Sequence, residues 1–308
     1  MVLVHVSMIP HGTMVLEANR DSVKDLPKGC QDIYNGCCSA ARDICDASPD
    51  TIIVITPHGI SLRESLSVYM NESVAGNAEW NGYGEEYTVS CDCDGELATS
   101  LVDHLSSSSI KAEGVTLFSK ASSAPLRWGE VVPLWFVLAQ VEIKVVMVGL
   151  PQARFDPITY AESASTLGRL LFDFCAIQTK RIALLFSCDL SHVHSIPPTV
   201  PVKYYCTPSL GTDDTVATTF DNLATEWART MMFNGDTCAA RIILRSEMAK
   251  WVVDAKACGW SGMCSIQGCM ERMLEVDYSG FTGRLGKVHE YQHPSYYGMM
   301  VATVRFQC

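Results

Sequence analysis

Four short runs in this 308-residue chain are almost unbroken in apolar residues: VLVHVSMI (2–9), TIIVITP (51–57), IKVVMVGL (143–150) and RIALLFS (181–187). A strand that reads this way is covered on both faces, the state of strands inside a mainly parallel sheet. Parallel neighbours need long crossovers. The chain supplies them as stretches of helical period, QDIYNGCCSAARDICDAS (31–48) and YAESASTLGRLLFDFCAI (160–177). The alternation predicts an α/β fold, with a central mainly parallel or mixed sheet flanked by helices. Apolar residues make up 48% of the chain and charged residues 19%, spread evenly enough to build one well-buried core. With no internal repeat and no low-complexity linker, residues 1–308 are expected to form a single domain. The proline-rich stretch IPPTVPVKYYCTP (196–208) reads as a loop over the site and not as a boundary.

Charge and cysteine usage narrow the function classes. A net charge of -11 without a Lys/Arg cluster argues against nucleic acid as a partner. The opening MVLVHVSMIPHG lacks a basic leader and is interrupted well short of a spanning length, so it reads as a first strand, and no membrane role is expected. Fourteen cysteines without a scaffold spacing read as mostly reduced thiols of a cytoplasmic protein. The pair in CDC (91–93) has no second pair to make a metal clip.

The ends of the strand-like runs carry the chemistry. The first finishes in MIPHG, the second in ITPHG and the fourth in FSCDLSHVH, so a chain with only 8 histidines spends several of them where open α/β sheets place a ligand crevice. In Pro-His-Gly, proline fixes the chain as it leaves the strand and glycine turns it without crowding the imidazole. Two imidazoles and one anionic ligand make a site able to bind a first-row metal ion and leave positions open. His11 and His58 are therefore the candidate metal ligands.

In their order along the chain, these motifs resemble the class III extradiol ring-cleavage dioxygenase superfamily, typified by the LigB catalytic subunit, which also holds the Memo-like proteins. The likeness runs on through VVPLWFVL (131–138), VVMVGLP (145–151), ACG (257–259) and YYGMMVATV (296–304). It implies a non-haem metal centre, Fe(2+) first and copper or zinc as alternatives. It further implies opening of a catechol-like aromatic ring with O2, and it is compatible with a homodimer. Carried over by position, His192 in DLSH becomes the acid–base residue on the catechol hydroxyl, with His194 a near neighbour. Asp189 is read either as fixing a histidine tautomer or as capping the turn after its strand.

The chain also departs from the family. Where the family commonly has Asp-His-Gly before VPL, Arg127 and Trp128 stand here; Trp128 can stack on a ring and donate one hydrogen bond but cannot shuttle a proton. For the third ligand the resemblance implies Cys258, as in the Memo-like branch, with Asp254 as the carboxylate alternative four residues earlier. A thiolate would soften the site toward copper or zinc. The alternative function is accordingly a Memo-like metal-binding protein that opens no ring. Trp128, Asp189 and His194 are the candidate substrate-pocket residues. His289 and His293 are expected on a surface loop, His5 as a satisfied core residue, and Met231 and Met232 on the apolar stripe of a helix.

Overall fold

The computed structural model describes residues 3–18, 29–80, 84–193, 214–230, 238–256, 260–261, 269–270, 273–274, 283–294 and 297–307. In chain order the strands are β1 (Leu3–Ile9), β2 (Thr51–Thr56), β3 (Leu66–Tyr69), β4 (Ser73–Asn77), β5 (Thr88–Asp92), β6 (Ala112–Val115), β7 (Ala124–Leu126), β8 (Lys144–Gly149), β9 (Ile182–Ser187), β10 (His192–Val193), β11 (Trp260–Ser261), β12 (Gly283–Gln292) and β13 (Met299–Gln307). The helices are α1 (Met14–Glu17), α2 (Cys30–Asp46), α3 (Gly95–Ser106), α4 (Trp128–Leu138), α5 (Pro157–Ile177), α6 (Asp214–Thr230) and α7 (Cys238–Lys256).

Eight strands form one mixed sheet in the order β12-β13-β1-β9-β2-β8-β3-β6. Its centre, β1-β9-β2-β8, is parallel throughout and is made of the four apolar runs. Every residue of β1, β2 and β9 is buried, which is why their sequences show no alternation. The flanking strands β13 and β3 run antiparallel to their inner neighbours. Helix α2 packs on β1, β12 and β13, and α4 packs on β2 and β9. The buried positions of α2, among them Ile33, Cys37, Ala40, Ala41 and Ile44, recur at the three- and four-residue spacing of one helix face. A second sheet, β5-β4-β7, adjoins α4. Among the described residues no helix is long and apolar enough to cross a membrane.

The expected strands and crossover helices are present, and so is the mixed α/β sheet. Two other expectations, for His289 and His5, meet the structure differently, while His293 lies in a loop as expected. His289 lies within β12, where its Nε2 is 2.9 Å from the Thr303 hydroxyl and 3.1 Å from Asp43 of α2, so it faces the helix-covered sheet and not a surface loop. His293 follows the end of β12 and is half-buried. His5 is in the core, yet neither ring nitrogen has a hydrogen-bond partner among the described residues, so it is buried without being satisfied. Met231, Met232 and the loop 196–208 lie outside the described residues.

Burial holds His5 down at about 3, with Asp43 opposing and Arg305 and His289 adding to the depression. Its contribution to stability is thus fully present above the ordinary histidine value of 6.5 and is lost as pH falls toward about 3. The His5→Leu protein, whose thermal midpoint is followed from pH 7 to pH 4, is expected to lose less stability than wild type over that range. The difference at pH 4 is roughly 3 kcal/mol, and at pH 7 the substitution is near neutral, because it removes two unpartnered buried nitrogens.

Candidate metal centre

Because β9 sits between β1 and β2, the residues that follow these three strands meet at one place. The imidazoles of His11 and His58 stand edge to face with centroids 4.5 Å apart. His11 is buried and His58 half-buried. Ser187, at the end of β9, has its hydroxyl 3.0 Å from His11 Nδ1.

A proline in α4 decides which way that contact runs. Pro133 has no N–H, so the carbonyl four residues earlier, that of Gly129, is left without its helical partner. The Ser187 hydroxyl donates its one proton to this carbonyl. Its oxygen can then only accept from His11, which places a proton on Nδ1 and leaves the Nε2 lone pair of the neutral ring pointing away from Ser187. Nε2 lies 3.2 Å from Oδ2 of the buried Asp189, whose Oδ1 accepts the backbone N–H of His11 at 3.2 Å. A lone pair and a carboxylate oxygen at that distance repel unless a proton or a cation lies at the contact. Burial pushes Asp189 above its ordinary range, and His11 pulls it back.

The same turn of α4 also shapes the His58 side. A side chain at Gly129 would collide with the β-carbon of His58, so only glycine admits the ring. Glu130 is buried and accepts from the Tyr69 hydroxyl at 3.0 Å and from the Arg127 N–H at 2.9 Å, while the N–H of Ile60 donates to Tyr69 at 2.7 Å. The carboxylate thereby anchors the turn that carries His58. Trp128 lies 5.2 Å from the His58 ring and 4.2 Å from Trp80, giving a continuous aromatic face out to the half-exposed edge of Trp80. The Arg127 guanidinium sits 5.8 Å from the Trp128 ring.

His192 reaches this centre through Tyr297. The two rings stack with centroids 5.4 Å apart and planes 15° apart, and the tyrosine hydroxyl lies where a side chain on Gly12, next to His11, would have to go.

Residues 5–231 match the family described as the catalytic LigB subunit of aromatic ring-opening dioxygenase. The chain belongs to this family. Among solved structures, the LigB-family chain is similar to an uncharacterized protein, JW3007 from Escherichia coli K12, at 13% identity and a TM-score of 0.55, covering 97% of this chain and 99% of that one. This second likeness concerns the fold. No curated protein gives a significant match.

LigB enzymes are generally non-haem, metal-dependent dioxygenases, and the residues present fit part of a metal shell. His11 Nε2 faces an anionic partner with its own Nδ1 proton held by Ser187, the arrangement in which a histidine ligand's second nitrogen is fixed by its surroundings. His58 lies beside it. Among the described residues no set of three or more His, Cys, Asp and Glu surrounds a common point. Cys258 and His194 lie outside the described residues, as does the side chain of Asp254 on α7; Cys258 and Asp254 also lie beyond the family match. The structure brings together His11, His58, Trp128 and Asp189, with His192 one ring away. Asp189 engages His11 directly. Ser187, Tyr69, Glu130, Trp80 and Tyr297 escape sequence reasoning, although Ser187 lies in FSCDLSHVH, Tyr297 in YYGMMVATV and Glu130 next to VVPLWFVL.

Burial raises Glu130 to about 7, opposed by the donors from Arg127 and Tyr69, and burial raises Asp221 to a similar value. For an acid raised in the fold, stability is fully present below the unfolded value and is lost as pH rises through the folded one. Glu130 and Asp221 thus work against His5, whose contribution grows with pH, and Glu130→Gln is expected to make the change in stability from pH 5 to pH 8, read from the thermal midpoint, more favourable by up to roughly 3 kcal/mol. Ser187→Ala removes the acceptor that fixes the His11 tautomer. It is expected to weaken metal binding by about 10- to 100-fold in equilibrium dialysis, with little change in fold by circular dichroism.

Proposed function

We propose that this LigB-family protein is a non-haem iron extradiol-type dioxygenase that opens a catechol-like ring with O2. The observation that carries the reading is the convergence of His11 and His58 at the carboxyl end of the sheet, with a histidine able to move protons, His192, within one aromatic ring of them. His11 through Nε2 and His58 would hold the ion, with Cys258 as third ligand and Asp254 as its carboxylate alternative. A bound ferrous ion supplies Lewis acidity toward a diol hydroxyl and one-electron chemistry with dioxygen.

The chain's own residues do the rest. His192 takes the proton of the diol hydroxyl and returns it to the opened product, the acid–base task that a positioned imidazole performs. Stacking on Tyr297 holds that ring in one plane. Trp128 and Trp80 offer the substrate ring an aromatic wall and keep water off the His58 side. Asp189 holds His11 in place through its backbone N–H and balances the positive charge gathered at the centre.

The second reading, a Memo-like protein that binds copper, iron or zinc without ring cleavage, is favoured by Trp128, which stands against His58 and cannot accept a proton. Copper bound without oxygen uptake, and lost in Cys258→Ser, is the outcome that reading requires.

Anaerobically purified protein is expected to take up about one ferrous ion per chain, and His58→Ala to lose it in metal analysis. Offered a panel of aromatic diols under air, the iron-loaded protein should consume oxygen and form a yellow ring-opened product. His192→Ala should keep its iron and lose about 100-fold or more in turnover. Iron retained in full by both His11→Ala and His58→Ala would overturn the centre itself. Iron uptake with no diol consumed would turn the assignment to the second reading.

A further inference from the structure

The Asp221 carboxyl, on α6, is fully buried, though an unpaired acid is costly to bury. Its Oδ1 accepts the backbone N–H of Ser191 at 2.9 Å, and its Oδ2 accepts the Tyr291 hydroxyl at 2.9 Å. It is packed so closely on Gly298 that no side chain fits there. These contacts fall on the two segments that carry the stacked rings. Leu190 N–H donates to the Gly298 carbonyl at 2.7 Å and Gly298 N–H donates to the Ser191 carbonyl at 3.0 Å, zipping the chain before His192 to the chain after Tyr297. Asp221 closes that zipper from the side and ties it, through Tyr291, to β12.

We propose that Asp221 is a positioning residue for the acid–base histidine: by holding Ser191 and packing on Gly298, it fixes the plane in which His192 stacks on Tyr297 and, through Tyr297, the separation of His192 from the His11 turn. The proposal rests on the reading of His192 given above for its catalytic meaning, and on geometry alone for the placement. A structural acid could sit anywhere in the zipper. This one bonds the residue next to one ring and abuts the residue next to the other, so its loss tilts the pair before it disturbs the sheet. The titratable groups that face it are Asp189 and Tyr291.

The placement is read in the metal-free protein by nuclear magnetic resonance with histidine ring labels. Stacking on Tyr297 displaces the His192 ring protons upfield, and Tyr297→Leu, which removes the stack, identifies the displaced signal. Asp221→Ala is expected to abolish that displacement while the His11 and His58 ring signals stay in place. Asp221→Asn, which keeps an acceptor for Ser191, should restore it. Tyr291→Phe removes one donor without a large cavity and should move the His192 signals part-way, which decides the matter if the alanine variant does not fold. His192 ring signals unmoved in both Asp221→Ala and Tyr291→Phe, or in Tyr291→Phe alone where the alanine variant is unfolded, overturn the proposal. In diol turnover Asp221→Ala should lower kcat by about 10- to 100-fold with KM nearly unchanged, and Asp221→Asn should recover most of it. Wild-type protein that turns over no diol would count against the dioxygenase reading, while the resonance result would still decide whether Asp221 places His192.

Discussion

The Ser187 hydroxyl has one proton to give, and the direction in which it gives it organises the centre. Pro133 leaves the Gly129 carbonyl without a helical partner, and Ser187 fills that vacancy. Everything at His11 follows: Nδ1 donates to Ser187, and Nε2 is turned to Asp189 at 3.2 Å. The first turn of α4 therefore governs several sides of the site at once. Gly129 supplies the carbonyl and the clearance for His58, Glu130 anchors the His58 turn through Tyr69 and Ile60, and Trp128 lies against the His58 ring. A helix start is a rigid place from which to do this, since its backbone is fixed by the turns that follow.

That helix can act on both histidines only because of the strand order. His11 and His58 follow β1 and β2, which are consecutive strands in the chain but not neighbours in the sheet. The strand that separates them, β9, is added more than a hundred residues later and pairs with both. Ser187 closes β9 at the level where β1 and β2 release their Pro-His-Gly turns. The centre is thus assembled from three segments whose proximity is a property of the whole sheet, in which all three strands are buried on both faces.

This explains how much of the protein can be read from its sequence. The four central strands are legible because burial on both faces leaves an unmistakable apolar run, and the two Pro-His-Gly turns because they repeat. The outer strands β3, β6 and β12 are short or mix polar and apolar residues, so His289 reads as loop although it lies in a ten-residue strand. Ser187 and Asp189 sit in the quoted motif, but which histidine they serve depends on the strand order: they serve His11, more than 170 residues away, and not their neighbour His192. Trp80 and Asp221 lie in stretches without any motif, and Tyr297 lies in YYGMMVATV, which by itself says nothing of its stacking partner. They matter through contacts with residues far along the chain, which no local pattern encodes.

The two walls of the centre differ in what they can exchange with a substrate. Against His58 stands Trp128, and beyond it Trp80; an indole N–H donates a hydrogen bond but accepts no proton. Against the His11 turn stands Tyr297, stacked on His192 and backed by Asp221 and Tyr291, a set in which each member can donate or accept. Under the proposed reading, proton movement is confined to this second wall and the first does only stacking and water exclusion. Such a division makes the geometry of the stacked His192–Tyr297 pair more critical than in a site with a proton carrier on each side, because among the described residues the Trp128 wall offers no imidazole beyond His58 itself to compensate for a tilted His192. The fully buried carboxyl at Asp221 is held by two hydrogen bonds that offset part of the cost of burying it, and under the proposed reading the same bonds hold the acid–base ring in place.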